Sequence, residues 1–158
     1  TTWSNLIEDT TWKVSGHSTI EVTPKVIYTA EITNATKTYG PENGRSKIGL
    51  MYASDYMYAA SPTYWTYPGY SSSGYSGATS DYRAATTSNW MYMGLNEWTI
   101  TPDSSTNSYV FLAGPEGYLS NGYYVDYGIG VRPVLYLKAS ALYAGGTGTK
   151  DSPITLVV

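Results

Sequence analysis

Apolar positions recur along the chain in short runs separated by Gly, Pro, Ser and Asn, the pattern of a domain with brief strands and few helices. Residues 4–9 have room for one helical turn, and Thr10-Thr11-Trp12-Lys13-Val14 is strand-like ahead of a Ser15-Gly16-His17-Ser18 turn. After Pro24, residues 26–35 bring Ile27, Ala30 and the Tyr28/Ile32 pair near helical spacing, which predicts a helix despite the β-branched content. Residues 39–44 read as a loop, and residues 47–53 as a buried strand. Ser54 is the expected N-cap of a short helix over 55–60, ended by Pro62. Residues 61–89 have neither a helical nor a strand period. They form a long aromatic loop, a class that is usually functional when ordered.

The second half alternates more regularly. Glu97-Trp98-Thr99-Ile100-Thr101-Pro102 is a strand stopped by proline, and residues 108–113 are another. Gly114-Pro115-Glu116-Gly117 is a tight turn into Tyr118-Leu119 and residues 122–125, completing a hairpin. Residues 129–138 are the longest run of strand-forming residues, expected as a central strand pairing near Trp12. Gly145-Gly146-Thr147-Gly148 is a flexible turn before a terminal strand over 154–158. With no internal repeat or break in composition, residues 1–158 read as a single α+β domain.

Composition narrows what such a domain does. Its 158 residues carry a net charge of −3, only 13% are charged, and 18 are Tyr and 5 Trp against a single Phe. Nine scattered basic residues do not make a phosphate-binding face, so nucleic acid is not an expected partner. No apolar run reaches the ~20 residues of a membrane span, and no leader pattern is visible, so an export signal would lie outside these residues. The absence of cysteine removes disulfides, thiolate metal sites and a Cys nucleophile, and suits an exported bacterial protein that does without disulfides. Tyr covers area, stacks and hydrogen-bonds at low entropic cost, and with Ser, Gly and Asn it dominates adaptable binding surfaces. A core of this size cannot satisfy so many phenol hydroxyls, so many of the tyrosines belong at the surface.

Candidate chemistry is sparse. His17 is the one histidine and sits in a polar turn, so neither a transition-metal cluster nor a Ser-His-acid triad is expected. Asp103-x-Ser105-x-Asn107 opens like a calcium loop, but Ser108 and Gly114 stand where the turn glycine and the bidentate Glu belong. No metal or cofactor is expected. Asp55, Asp81, Glu97 and Asp126 lie near aromatic stretches, yet their spacing selects no carboxylate pair for glycoside hydrolysis. Gly145 to Gly148 lack the Lys and helix of a phosphate cradle, and Asn34-Ala35-Thr36 matches a glycosylation sequon. Arg132, inside an apolar run, calls for a carboxylate or carbonyl partner that ties the last strand to a loop.

Five blocks carry a resemblance: residues 47–56 (KIGLMYASDY), 89–92 (NWMY), 97–102 (EWTITP), 130–138 (GVRPVLYLK) and 145–151 (GGTGTKD). In this order they resemble the exported C-terminal domains of Firmicutes and Mollicutes surface proteins, some of which carry a type IV prepilin-like N-terminus. Those domains are similar in pattern to C-type-lectin-like folds, including the sulfatase-modifying-factor group and the variable proteins of diversity-generating retroelements. The resemblance covers roughly residues 10–158 and implies paired terminal strands with an irregular loop region presenting side chains. It puts the ligand side at residues 103–109 and 118–127. Gly114-Pro115-Glu116-Gly117 is not the Glu-Pro-Asn or Gln-Pro-Asp type motif of calcium-dependent sugar binding, and the active cysteines of the sulfatase-modifying enzymes are missing. Neither activity is therefore implied.

The resulting expectation is a non-catalytic, extracellular or cell-surface binding module, adhesin-like, that recognises a glycan or a protein. Its face would be built from Tyr64, Trp65, Tyr67, Tyr70, Tyr75, Asp81, Tyr82 and Arg83, with Asp103, Tyr118, Tyr123, Tyr124, Asp126 and Tyr127. Aromatic rings would supply contact area and the charged groups directional hydrogen bonds. The alternative is a structural subunit or tip of a cell-surface filament, self-associating through the same aromatic faces. A glycan-active enzyme is the third reading.

Overall fold

The computed structural model describes residues 3–33, 43–71 and 81–157. It is a mixed α+β structure. Its main sheet contains β4 (Glu97–Pro102), β5 (Tyr109–Ala113), β6 (Leu119–Tyr124) and β7 (Gly130–Val131), in the spatial order β6-β5-β4-β7. β4–β5 and β5–β6 are antiparallel, while β7 lies parallel to β4. The turn between β5 and β6 closes through Gly117, whose φ of +93° suits glycine. A Cβ there would meet Thr86 Cγ2 at 2.3 Å.

Among the described residues the helices α1 (Trp3–Leu6), α2 (Pro24–Thr33) and α3 (Ala53–Tyr58) precede the sheet, and α2 packs on α3, which packs on β4 and β5. Ile27 of α2, Met51, Tyr56 and Met57 of the α3 region, Tyr82, and Phe111 and Leu119 of the sheet form the core. Burying a ring such as Phe111 contributes about 2–3 kcal/mol. Tyr56 and Tyr82, both buried, keep partners for their hydroxyls: Tyr56 donates to the Gly117 carbonyl at 3.0 Å and Tyr82 to that of Met57 at 2.8 Å.

Small ladders tie in the rest. β1 (Thr10–Lys13) pairs with β2 (Asn43–Ser46), β3 (Gly49–Leu50) with β8 (Pro133–Val134), and β9 (Leu142–Gly145) with β10 (Thr155–Val157), all antiparallel. Trp12 is buried, donates to the Ser46 carbonyl at 2.9 Å, and stacks on Tyr136 with 5.3 Å between centroids. Its ring lies so close to Gly49 that a Cβ there would stand 2.6 Å from it.

Several expectations are corrected. Residues 129–138 do not form one central strand; they break into β7, β8 and an isolated bridge between Ile7 and Leu137. Pro133 lacks an N–H and Arg132 turns inward to Glu97, so no continuous ladder runs through them. The interior of the sheet belongs to β5 and β4, and four of the six β4 residues are buried. The terminal strands are not paired with each other, because β10 takes β9 and β1 takes β2. The late run does meet the chain near Trp12, whose ring stacks on Tyr136, but its backbone bonds go to the segment ahead of β1: Glu8 N–H donates to the Tyr136 carbonyl and Lys138 N–H to that of Leu6, both at 2.8 Å. Strand structure within residues 47–53 is confined to Gly49–Leu50, and Ile48 is exposed. Helix α3 starts at Ala53 with Tyr52 as N-cap, so Ser54 lies inside it, and Pro62 opens a 3-10 turn (Pro62–Tyr64) rather than closing the helix. Asn43 and Gly44, expected in a loop, belong to β2. The sequon at Asn34 lies outside the described residues.

Candidate functional site

The sequence-predicted face divides into a buried clasp, a half-buried aromatic group and an exposed cluster. The clasp is Asp81 and Arg83, at 0% and 8% exposure. Asp81 opens a 3-10 turn (Tyr82–Ala85), its Oδ1 accepting the Arg83 backbone N–H at 3.0 Å. Arg83 Nη2 meets Asp81 Oδ2 at 2.5 Å and Nε spans both oxygens at 3.0 and 3.1 Å. The guanidinium carbon lies 5.2 Å from the Tyr70 ring centroid and 5.8 Å from that of Tyr118, and the two rings meet edge-on at 5.6 Å, so the cation sits beside a pair of contacting rings. Asp81 and Ser71 close the ring, Ser71 N–H donating to Asp81 at 2.9 Å and Arg83 to the Ser71 carbonyl at 3.2 Å. Asp81, Tyr82 and Arg83 therefore hold the aromatic loop to the core and do not face solvent, because each polar group is satisfied internally.

Asp103 is corrected in the same way. At 5% exposure its Oδ1 accepts from the Ser105 N–H (2.7 Å) and hydroxyl (2.5 Å), and its Oδ2 from Asn121 Nδ2 (2.7 Å). This is a self-capped polar turn. Tyr64 and Tyr67 pack edge-to-face at 5.5 Å against the core and are half-buried. Trp65 is exposed on one side, donates to the Ala60 carbonyl at 2.9 Å and meets Tyr58 edge-on. Tyr75 lies outside the described residues.

The exposed cluster stands at the far end of β6, where Tyr123 and Tyr124 run into a turn holding Asp126 and Tyr127. Tyr124 and Tyr127 are 48% and 52% exposed. Tyr109 of β5 lies opposite Tyr124 in the ladder, their rings 4.8 Å apart and T-shaped, and Tyr127 touches both Tyr123 and Tyr124 at 6.1 Å. Tyr109 was not among the predicted residues, although it closes the segment the resemblance put on the ligand side. A hydrogen bond with the Tyr124 hydroxyl, and the negative groups nearby, hold its phenol above the ordinary value. Tyr118 and Tyr124 occupy opposite ends of a strand rising about 3.3 Å per residue, so the clasp and this cluster do not form one surface.

A cleft that sequence reasoning missed opens between α2, α3 and β1. Its volume is about 280 Å³, and Tyr28, Tyr52 and Tyr136 line it with Lys13, Glu31 and Asp55. Glu31, 1% exposed, accepts from Ser54 N–H at 3.2 Å, from the Thr101 hydroxyl at 2.6 Å, and from the Ser54 hydroxyl in a very short bond. Burial pushes its carboxyl up to about 7 against the pull of those donors, with Asp55 adding to the rise. Burial also raises Asp55, which accepts the Tyr52 N–H at 3.1 Å, and lifts the Tyr52 phenol to about 12. Lys13 donates to the Ile32 carbonyl at 2.6 Å, near the C-terminus of α2. One sequence signal pointed here: Glu31 follows Ile27 at i+4, on the apolar stripe of α2.

Arg132 finds the partners its position called for, Glu97 at 2.5 and 3.2 Å and the Met91 carbonyl at 2.7 Å. Among the described residues no group of three or more His, Asp or Glu side chains could hold a metal ion, and no helix is long and apolar enough to cross a membrane. Compared with protein-family models, curated proteins and solved structures, the chain matches none.

Proposed function

We propose that this chain is a non-catalytic binding module, displayed outside the cell, that recognises a protein or glycan ligand through the tyrosines at the open end of the β5–β6 hairpin, opposite its Gly114–Gly117 turn. One observation carries the reading. Tyr109 and Tyr124 meet across two hydrogen-bonded strands, Tyr127 in the following turn touches Tyr123 and Tyr124, and Tyr124 and Tyr127 leave about half their surface in solvent. Rings held in place by neighbours lose little entropy on binding, which is what an aromatic anchor requires. Asp81, Arg83 and Asp103 are internal while Asp126 is exposed beside the tyrosines, so the open end of the β5–β6 hairpin rather than the 61–92 loop is the recognition element of this proposal.

A second reading, a self-associating structural subunit such as a filament component, draws on a different observation. Residues 129–157 contain no buried position, and Val131, Leu135, Leu137, Leu142, Ile154 and Val157 are exposed there. Aliphatic surface of this extent is what an interface between copies would cover.

The two readings separate by experiment. Light scattering of the purified chain measures its mass, and a glycan and cell-surface binding screen is run with wild type and Tyr124→Ala. A monomer whose binding falls with Tyr124→Ala supports the module. A polymer dispersed by Leu142→Asp, with no ligand found, supports the structural subunit.

A further inference from the structure

The charge distribution around the exposed cluster is one-sided. Between Arg83 and Arg132 the sequence has no Lys or Arg, yet it holds Glu97, Asp103, Glu116 and Asp126. This stretch includes the whole of β4, β5, β6 and β7. Glu97 is neutralised by Arg132. Asp103 is hydrogen-bonded only by neutral donors, and its charge reaches Tyr109, whose phenol it helps to raise. Asp126 is exposed within the tyrosine turn itself, and among the described residues it has no ion-pair partner.

Resting on the binding-module reading above, we propose that the tyrosine cluster Tyr109/Tyr123/Tyr124/Tyr127, with Asp126 in its turn, docks an Arg- or Lys-bearing segment of a partner protein. The negative face of a phenol ring attracts a cation by about 0.5–1 kcal/mol at an exposed site, and more where water is displaced. Several such faces lie together here, with a carboxylate in the same turn and no competing cation in the surrounding sheet. The molecule already shows this chemistry internally, where Arg83 lies against the contacting rings of Tyr70 and Tyr118 with Asp81 as counter-ion. The exposed cluster offers two of the same components, tyrosine faces and an aspartate, without the cation. An anionic partner would be repelled, and a neutral one would gain nothing from the charge.

The test is fluorescence anisotropy with a labelled Arg-Gly repeat peptide, using the matched citrulline-Gly and Glu-Gly peptides as controls. The Arg peptide is expected to bind, citrulline to weaken binding at least about fivefold, and Glu to abolish it. Binding should fall between about 0.05 and 0.5 M NaCl. Tyr124→Leu and Tyr127→Leu keep apolar area but lose the π face, and each should weaken binding about three- to fivefold, whereas Tyr124→Phe stays within about twofold. Gly122→Lys adds a positive charge where no atom lies within 4 Å of a new Cβ. It should weaken the Arg peptide with no change in the thermal midpoint, which separates the effect from misfolding. Equal affinity for the Arg and citrulline peptides, or indifference to both Leu variants, would overturn the proposal. If the Arg peptide does not bind while Tyr124→Ala still abolishes a ligand found in the surface screen, the cationic partner is wrong and the module stands.

Discussion

Replacing Glu31 with Gln isolates one buried charge and gives it a pH signature. In the unfolded chain the Glu31 carboxyl titrates near 4.5, and in the fold near 7, chiefly through burial. Between those values the folded protein retains a proton that the unfolded chain has released, so stability falls as pH rises across the window. The contribution is complete below about pH 4.5 and gone above about pH 7. At about 1.4 kcal/mol per unit, a shift of this size amounts to about 3 kcal/mol. Glu31→Gln keeps the shape, and its carbonyl oxygen can accept from Thr101 while its amide donates to Ser54 Oγ, but it has no charge to desolvate. Urea unfolding followed by tryptophan fluorescence, at intervals from pH 4.5 to 8.5, gives both stability curves. Groups that titrate alike in both proteins cancel in the difference. The variant should gain on wild type by about 3 kcal/mol from the bottom of that range to the top, almost all of it below pH 7.5. A difference that stays constant with pH would refute the reasoning, because Glu31 would then be solvated or counter-charged in a way the fold does not show.

Asp81→Ala should destabilise by about 3–5 kcal/mol in denaturant melts, because it strands the buried Arg83 guanidinium without its counter-ion. Tyr82→Ala should cost about 3–5 kcal/mol, whereas Tyr124→Ala should stay within about 1 kcal/mol of wild type; equal losses would mean that the tyrosine cluster is core. Thermal melts with EDTA and with millimolar calcium should coincide, since Asp103 is filled by Ser105 and Asn121, and a rise of several degrees on adding calcium would reveal a bound ion.

Local chemistry made some elements legible in advance. Strands β4 and β5, the Gly114–Gly117 turn and helix α2 fall where alternation, glycine and helical spacing put them, since each depends on neighbours a few residues away. The inward demand of Arg132 was legible too, as a guanidinium in an apolar run must find an acceptor. Tertiary structure decided the rest. Strand propensity in residues 129–138 could not say that β5 and β4 would occupy the sheet interior, nor that Pro133 and Arg132 would divide the run, because pairing is a contest among distant segments. Tyrosine count and spacing could not tell Tyr82 in the core from Tyr124 in solvent, since a phenol suits either place once its hydroxyl has a partner. Glu31 was passed over because its donors, Ser54 and Thr101, lie on a different helix and a strand, and the folded chain brings them together. Its perturbed charge is created by that burial, which no stretch of sequence around residue 31 contains.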